Sequence, residues 1–358
     1  MTRILFIGET WQGSSARSLR EALALQPRVV ISDVGEDHFL PKYRQLPLRI
    51  ANRLLRPLQL RELASAVLRA MSDFRPDVVL AYKGAGIGAS LVDEMRRSGI
   101  PVINVFPDLS PHPYGRQLQE AMGCYDLVIS TKPFHPQFWQ SVYGYRNPCV
   151  CVPHGYDAGV HYWADPSPSQ AYDVALCGTW RPEYHRLMLS FADALSDDRV
   201  SVAIAGQGWP AHRDQFPRHW HYVGPREGRA YGEFLRSAKI AIAPVTREVV
   251  IRGVKQPGDE DTTRTYELAA AHCFFLHQRT DYVATVYDEQ NEVPLWGDAT
   301  ELASLVRRWL PDEAGRRLMA ARAHARAVPA YSIPQRAASV LQHIEQLIKA
   351  RNAFRVDA

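Results

Sequence analysis

Residues 172–179 read YDVALCGT, and residues 180–195 read WRPEYHRLMLSFADAL. An apolar run that closes on Gly178 and Thr179, with a helical pattern opening at Pro182, predicts a buried strand, a tight turn and a helix. Proline suits the first helical position because its missing N–H has no intrahelical partner there. The place of the stretch decides the fold. It follows a link rich in Pro and Ser, ADPSPSQ (164–170), and restarts a rhythm already complete upstream.

That upstream rhythm is RILFIG (3–8), RVVISDV (28–34), DVVLAY (77–82), PVINVF (101–106), DLVIST (126–131) and CVCVP (149–153), with helix-like segments between most of them. Downstream of YDVALCGT come VSVAIAG (200–206), WHYVGP (220–225), KIAIAPV (239–245) and CFFLHQ (273–278). Apolar strand runs alternating with helices predict parallel, doubly wound α/β sheets. The expectation is two Rossmann-like domains, over 1–165 and 166–328, facing each other across a cleft at the carboxyl ends of their strands. In the closing segment, 329–358, Val340, Leu341, Ile344, Leu347 and Ile348 recur at helical spacing. A helix returning to the first domain explains that stripe, although a helix packed on its own domain reads the same.

Composition bounds the function. The chain has 358 residues, 46% of them hydrophobic, enough for two cores. Its formal charge of +4 is too small for general nucleic-acid affinity without a concentrated basic face, while anionic small molecules remain suitable ligands. MTRILFIGET reads as a strand rather than a signal peptide, and no apolar run reaches membrane-spanning length, so a cytoplasmic protein is expected. The five cysteines, with only Cys149 and Cys151 close together, fit buried reduced thiols better than a zinc or redox site.

The motifs gather in the second half. Arg181 and Arg186 bracket the start of the helix behind the Gly178–Thr179 turn. Planar guanidinium forks and a helix N-terminus together suit a diphosphate, a solvated helix end being the ordinary alternative. Farther on, DEDTTRTYELAAAHCFFL (259–276) places Asp259 and Glu267 with seven residues between them, the second just inside a helix opening at Thr262 or Thr263. Loop amides from Thr262 to Thr265, Thr263 among them, are expected as phosphate donors, with Arg264 adding charge. Glu267 is placed to accept from a ribose diol and Asp259 to reach the sugar beyond.

TRTYELAAAHCFFL, the run 286–327 beginning VYDEQNEVPLWGDATELASL, and YSIPQRAASVL resemble the C-terminal half of CgeB-like glycosyltransferases. More distantly the chain is similar to retaining family 4 enzymes of the GT-B fold, whose signature is an acid, seven residues and a Glu, with an Arg and a basic residue spaced like Arg181 and Arg186. VPHGYDAGVHYW (152–163) is similar to that family's crossover between domains. The resemblance implies a nucleotide-diphosphate sugar as donor substrate, no other cofactor, and transfer to a hydroxyl of a carbohydrate, lipid-linked or protein acceptor with retention. It implies Arg181 and Arg186 on the diphosphate, Glu267 on the ribose and Asp259 on a donor-sugar hydroxyl. Two departures stand out: the first acid is Asp rather than Glu, and the glycines that follow it in family 4 are replaced by EDTT.

In the first half, PVINVFPD ends at Asp108, where family 4 enzymes often carry a His one residue before an Asp; Pro107 replaces the His. Asp108 is placed to orient or deprotonate an acceptor hydroxyl, with His112 four residues on, or else to cap a turn. Glu9 and Trp11, after the first strand, are placed on the acceptor side. YKGAGIGAS carries the dinucleotide fingerprint at Gly84, Gly86 and Ala89, but after the third strand, so close helix packing is the better account. Asp259, Glu260 and Asp261 also imitate a carboxylate metal motif. Where arginines neutralise the diphosphate no metal is needed, and metal independence is expected.

KYRQLPLRIANRLLRPLQLREL (42–63) sets Arg44, Arg49, Arg53, Arg56 and Arg61 among leucines. The ordinary reading is a solvated helix with snorkelling stems; the alternative is peripheral contact with the inner membrane face or with a lipid-diphosphate acceptor. Three functional readings stand together: a glycosyltransferase, a sugar-nucleotide epimerase or hydrolase of the same fold, and a nucleotide-sugar-binding module without catalysis.

Overall fold

The computed structural model describes every residue except Gln12, Lys42, Arg44, residues 162–169, Asp197, Arg252, Asp357 and Ala358. The Pro/Ser link with the 165/166 boundary, the end of the crossover at Tyr162 and Trp163, and Arg44 of the basic run therefore lie outside the described residues.

The strands are β1 (Thr2–Gly8), β2 (Val29–Gly35), β3 (Val78–Tyr82), β4 (Val102–Phe106), β5 (Leu127–Ser130), β6 (Cys149–Cys151), β7 (Tyr172–Cys177), β8 (Val202–Ala205), β9 (His221–Tyr222), β10 (Ala238–Ala243), β11 (Glu248–Ile251), β12 (Val254–Pro257), β13 (Phe275–Gln278) and β14 (Leu295–Trp296). The α-helices are α1 (Ser15–Ala24), α2 (Glu36–Phe39), α3 (Leu46–Phe74), α4 (Ala89–Arg97), α5 (Arg116–Met122), α6 (His135–Phe138), α7 (Pro182–Ala194), α8 (Gly228–Arg236), α9 (Thr263–Ala270), α10 (Asp281–Val286), α11 (Ala299–Trp309), α12 (Glu313–Ala330) and α13 (Ile333–Val356). Each strand expected from an apolar run is present. The runs are buried because both faces of a parallel sheet are covered by helices, as the fully buried β3, β4 and β8 show.

The chain forms two compact units. Unit 1 is Met1–His154, Glu248–Gly258 and Ile333–Ala358; unit 2 is Gly155–Arg247 and Asp259–Ser332. The sheet of unit 1 has the order β2-β1-β3-β4-β5-β6 and that of unit 2 β14-β13-β10-β7-β8-β9, every pairing being parallel. In each, the strand order reverses across one gap, between β1 and β3 in unit 1 and between β7 and β10 in unit 2. Such switch points leave a crevice at the strands' carboxyl ends.

The division differs from the expected 1–165 and 166–328 at the start of unit 2, at its end, Ser332, and at one hairpin. Unit 2 begins at Gly155, because Tyr156 is buried and ties the segment down: its N–H donates to Tyr331 O (3.0 Å) and its hydroxyl to Val328 O (2.8 Å). The antiparallel hairpin β11–β12, inside the span expected for the second domain, belongs to unit 1, where Val249 packs on the cluster containing Leu63 and Val67. The closing helix α13 also lies in unit 1, burying Val340, Leu341 and Ile344 with Leu19 and Leu23 of α1 and Ile4 and Phe6 of β1. Cys177 and Cys273 are buried, Cys124, Cys149 and Cys151 are half-buried, and none of the five is in a disulfide.

Candidate functional site

The switch point of unit 2 is built from the turns after β7, β8 and β10 and the first turn of α9. The β8 turn crosses the β7 turn at Gly206: a side chain there would meet Gly178 O at 2.0 Å, so only glycine permits the approach. Gly178 N–H in turn donates to Ala205 O (2.9 Å), and Gly178 O accepts from the Trp209 indole (2.8 Å). Thr179 is left exposed beyond this locked turn.

Arg181 caps α7 with its backbone extended, and Pro182 opens the helix as expected. The Arg181 guanidinium donates to Thr246 Oγ1 (3.3 Å), while Thr246 O accepts from the Asp259 N–H (2.6 Å), so a buried threonine joins two of the predicted residues. Arg186 is not drawn in. It lies about 200° around α7 from buried Tyr184, on the solvent face, and has no hydrogen bond or ion pair among the described residues.

Arg264, expected to add charge beside the loop amides, has its guanidinium turned toward the ends of two strands. Nη1 donates to Cys177 O (2.9 Å), and Nη2 donates to Pro244 O (2.9 Å) and Tyr184 Oη (3.0 Å). The guanidinium thus spans the switch point and clamps the ends of β7 and β10. Burial works against its charge, but Tyr184, Tyr231 and Cys177 beside it raise its pKa above the usual arginine value, so it remains a cation. Its Nη1 stands 3.0 Å from where a Gly178 side chain would begin, directly behind that turn.

The acid triplet disperses. Asp261 is fully buried and accepts from the Tyr266 hydroxyl (2.7 Å); Glu260 is half-buried, its backbone carbonyl accepting from Thr280 Oγ1 (2.7 Å). Asp259 is the member held beside Thr246. Of the four loop amides expected to serve phosphate, two are used within the turn: Thr262 N–H donates to Thr265 Oγ1 (3.0 Å) and Thr265 N–H to Thr262 O (3.1 Å). Thr263 and Arg264 supply the first two amides of α9, which a helix leaves without intrahelical partners.

Glu267 is buried and held by two residues that sequence reasoning missed. Oε2 accepts from the Tyr231 hydroxyl of α8 (2.6 Å), and Oε1 lies 3.6 Å from His161 Nε2. The two rings meet edge to face, 5.4 Å apart, and the Asp157 N–H donates to His161 Nδ1 (3.2 Å). Burial first, and the Glu267 charge second, push Tyr231 well above an ordinary tyrosine, so it stays a donor. His161 lay inside the quoted crossover motif, but nothing in the sequence links Tyr231 to a glutamate in another helix.

At the switch point of unit 1, the expected residues lie at strand ends beside three that were missed. Asp108, after β4, pairs with Lys83 Nζ at 2.9 Å, and the same ammonium sits 4.1 Å from the centre of the Tyr114 ring. Burial pulls the Lys83 pKa down, and Asp108 and Tyr114 more than restore it, leaving it raised. Lys83 has left-handed backbone (φ 63), a conformation uncommon for a side-chain-bearing residue, and its N–H is held by Val105 O (2.8 Å). The third is Glu36, buried at the start of α2 and accepting from the Gly86 N–H. Desolvation raises its pKa to about 7. A side chain on Gly86 would strike Leu40 and Leu63, so the fingerprint-like glycines are a packing device here.

His112 opens a short 3-10 turn, with Nδ1 on Gln119 Oε1 (3.2 Å) and its ring stacked on Tyr143. The loop between Asp108 and His112 is anchored at Leu109 O, which accepts from His135 Nε2 (2.9 Å) and the Tyr143 hydroxyl (3.0 Å). Glu9 Oε2 accepts from the indole of Trp11 (2.9 Å), whose ring is exposed.

Residues 181–342 match the family model described as Glycosyl transferase-like. No curated protein matches the chain. Among solved structures it is similar to sucrose-phosphate synthase from Thermosynechococcus elongatus (14% identity, 98% of this chain and 100% of that one, TM-score 0.68). It is also similar to Anabaena HepE in complex with UDP and glucose (12% identity, 97% and 100%, TM-score 0.66) and to a glycosyltransferase from Rickettsia africae (11% identity, 97% and 99%, TM-score 0.67). At these identities the likeness establishes the fold, which is GT-B with two Rossmann-like domains.

Proposed function

We propose that the chain transfers a sugar from a nucleoside diphosphate sugar to an acceptor hydroxyl. The observation that carries this is the switch point of unit 2, where a glycine-locked turn, two helix N-termini, Arg181, Asp259 and a buried Glu267 converge within a glycosyl transferase-like segment. The departing diphosphate gains negative charge as the glycosidic bond breaks. The first-turn amides of α7 and α9, together with Arg181, meet that charge without reorganising, while Arg264 fixes the strand ends from behind and adds a buried positive field.

Glu267, steadied by Tyr231 and facing His161, takes the ribose diol, and Asp259 takes a donor-sugar hydroxyl. Asp108 of unit 1, its carboxylate held by Lys83, orients the acceptor hydroxyl. Retention at the anomeric carbon follows the family 4 resemblance. The reaction is metal-independent in this reading, since cations and amides of the chain serve the diphosphate; undiminished transfer in excess chelator is expected, and loss of transfer restored only by magnesium or manganese would overturn it. The UDP bound by HepE makes a uridine diphosphate sugar the first donor to examine.

The test is thermal stabilisation by nucleoside diphosphates and their sugars. A ligand at 100-fold excess over its Kd adds about 2.7 kcal/mol of stability. Glu267→Ala and the isosteric Glu267→Gln should both lose most of that gain. An undiminished gain in the Gln variant would remove the ribose assignment, and nucleotide release without any acceptor would favour the epimerase or hydrolase reading.

A further inference from the structure

Helix α3 changes character along its length. In its second half Leu63, Val67 and Met71 are buried at i, i+4 and i+8, an ordinary core-facing stripe. Continued toward the N-terminus, the same side of the helix carries Gln59, Arg56 and Asn52. These half-buried polar residues face the body of unit 1: Asn52 donates to Pro41 O (2.9 Å) and accepts from Gln59 (2.7 Å), while the Arg56 charge acts on buried Glu36. Arg56 therefore serves its own domain and does not join Arg49 and Arg53 as an outward trio.

The apolar residues of this half point outward. Leu46, Leu48, Ile50, Leu54, Leu55 and Leu58 are six of the fourteen exposed large hydrophobic side chains among the described residues, with Leu54 77% exposed. They fill an arc of about 200° around the helix, bordered on one edge by exposed Arg49 and Arg53. A solvated helix would place these sides the other way round. Between Asp37 and Glu62 the chain has no acidic residue and six cations, Lys42, Arg44, Arg49, Arg53, Arg56 and Arg61.

We infer that the first half of α3 is a docking surface for an anionic lipid bilayer. Its leucines enter the acyl boundary and Arg49 and Arg53 meet the headgroup phosphates. The charge decides the occupant: a second copy docked through the same face would bring two all-cationic segments together, whereas an anionic membrane satisfies both the apolar arc and its basic border. Among the described residues no helix is long and apolar enough to cross a membrane, so the contact is peripheral. The inference is independent of the sugar-transfer reading.

The experiment is co-sedimentation of the full chain with phosphatidylcholine vesicles, with and without phosphatidylglycerol. Binding to the anionic vesicles is expected, weakening with salt. The Arg49→Gln, Arg53→Gln variant should bind about 30-fold more weakly, fivefold for each arginine. The Leu54→Gln, Leu55→Gln, Leu58→Gln variant should lose binding while keeping its melting temperature, because those side chains are exposed. Binding of either variant equal to that of the parent, or no sedimentation with anionic vesicles, would overturn the proposal. So would a dimer, seen by sedimentation velocity, that the leucine substitutions dissolve in the absence of vesicle binding.

Discussion

The two switch points occupy corresponding places in two parallel sheets and handle charge in opposite ways. In unit 2 the cation between the strand ends, Arg264, is half-buried, its guanidinium bound to neutral oxygens, the carbonyls of Cys177 and Pro244 and the Tyr184 hydroxyl. In unit 1 the cation, Lys83, is partly open to solvent and paired with a carboxylate, Asp108. A guanidinium that satisfies main-chain carbonyls is a strut between the strand ends. An ammonium paired with a half-exposed carboxylate is a modest contributor to stability and a good means of aiming that carboxylate. The contrast sets a rigid clamp at the switch point of unit 2 against an aimed polar pair at that of unit 1.

Substitutions can break that contrast, and the largest effect on stability is expected at Arg264. Arg264→Met keeps length and removes the strut, stranding two carbonyls and a hydroxyl. A loss of about 3 kcal/mol in denaturant unfolding is expected, together with loss of nucleotide-induced stabilisation. A stability unchanged from the parent would show that the clamp carries nothing.

Next is Glu36→Gln. The folded pKa of Glu36, about 7, lies above its unfolded value of 4.5, so its contribution is fully present below the lower value and is lost as pH rises through the higher. Unfolding free energies of parent and variant should therefore diverge between about pH 5 and about pH 8, the variant gaining up to about 3 kcal/mol at the upper end. Parallel curves would mean that the carboxyl is not desolvated as its burial implies. His135 and His277, whose pKa values burial lowers to about 3 and about 4, titrate in both proteins and cancel in the difference.

Smallest in stability is Asp108→Asn, expected to cost less than about 1 kcal/mol because the ion pair is partly exposed. Nucleotide-induced stabilisation should persist, while transfer falls by about 100-fold or more if Asp108 serves the acceptor as a base. Equal loss of donor binding and transfer would erase the division of labour between the two ends.

Much of the architecture was legible in the sequence for a simple reason. A strand in a parallel sheet is buried on both faces, and RILFIG, DVVLAY and KIAIAPV announce that by unbroken apolar character. The hairpin β11–β12 and the two-residue β14 announced nothing, being too short to show a period. Glu267 could be singled out by its spacing from Asp259, but its partners could not, since Tyr231 and His161 come from separate segments that only packing brings beside it.

The sequence by itself determined the doubled α/β rhythm, the helix start at Pro182 and, to within one residue, that at Thr263, because burial periodicity and helix-end chemistry are local properties. Tertiary structure decided where each long side chain points. It turned Arg264 inward, left Arg186 on the solvent face, spread the acid triplet among different partners and set the leucines of α3 outward. An arginine or a leucine carries the same letter in either orientation, and only the neighbours supplied by the rest of the fold choose between them.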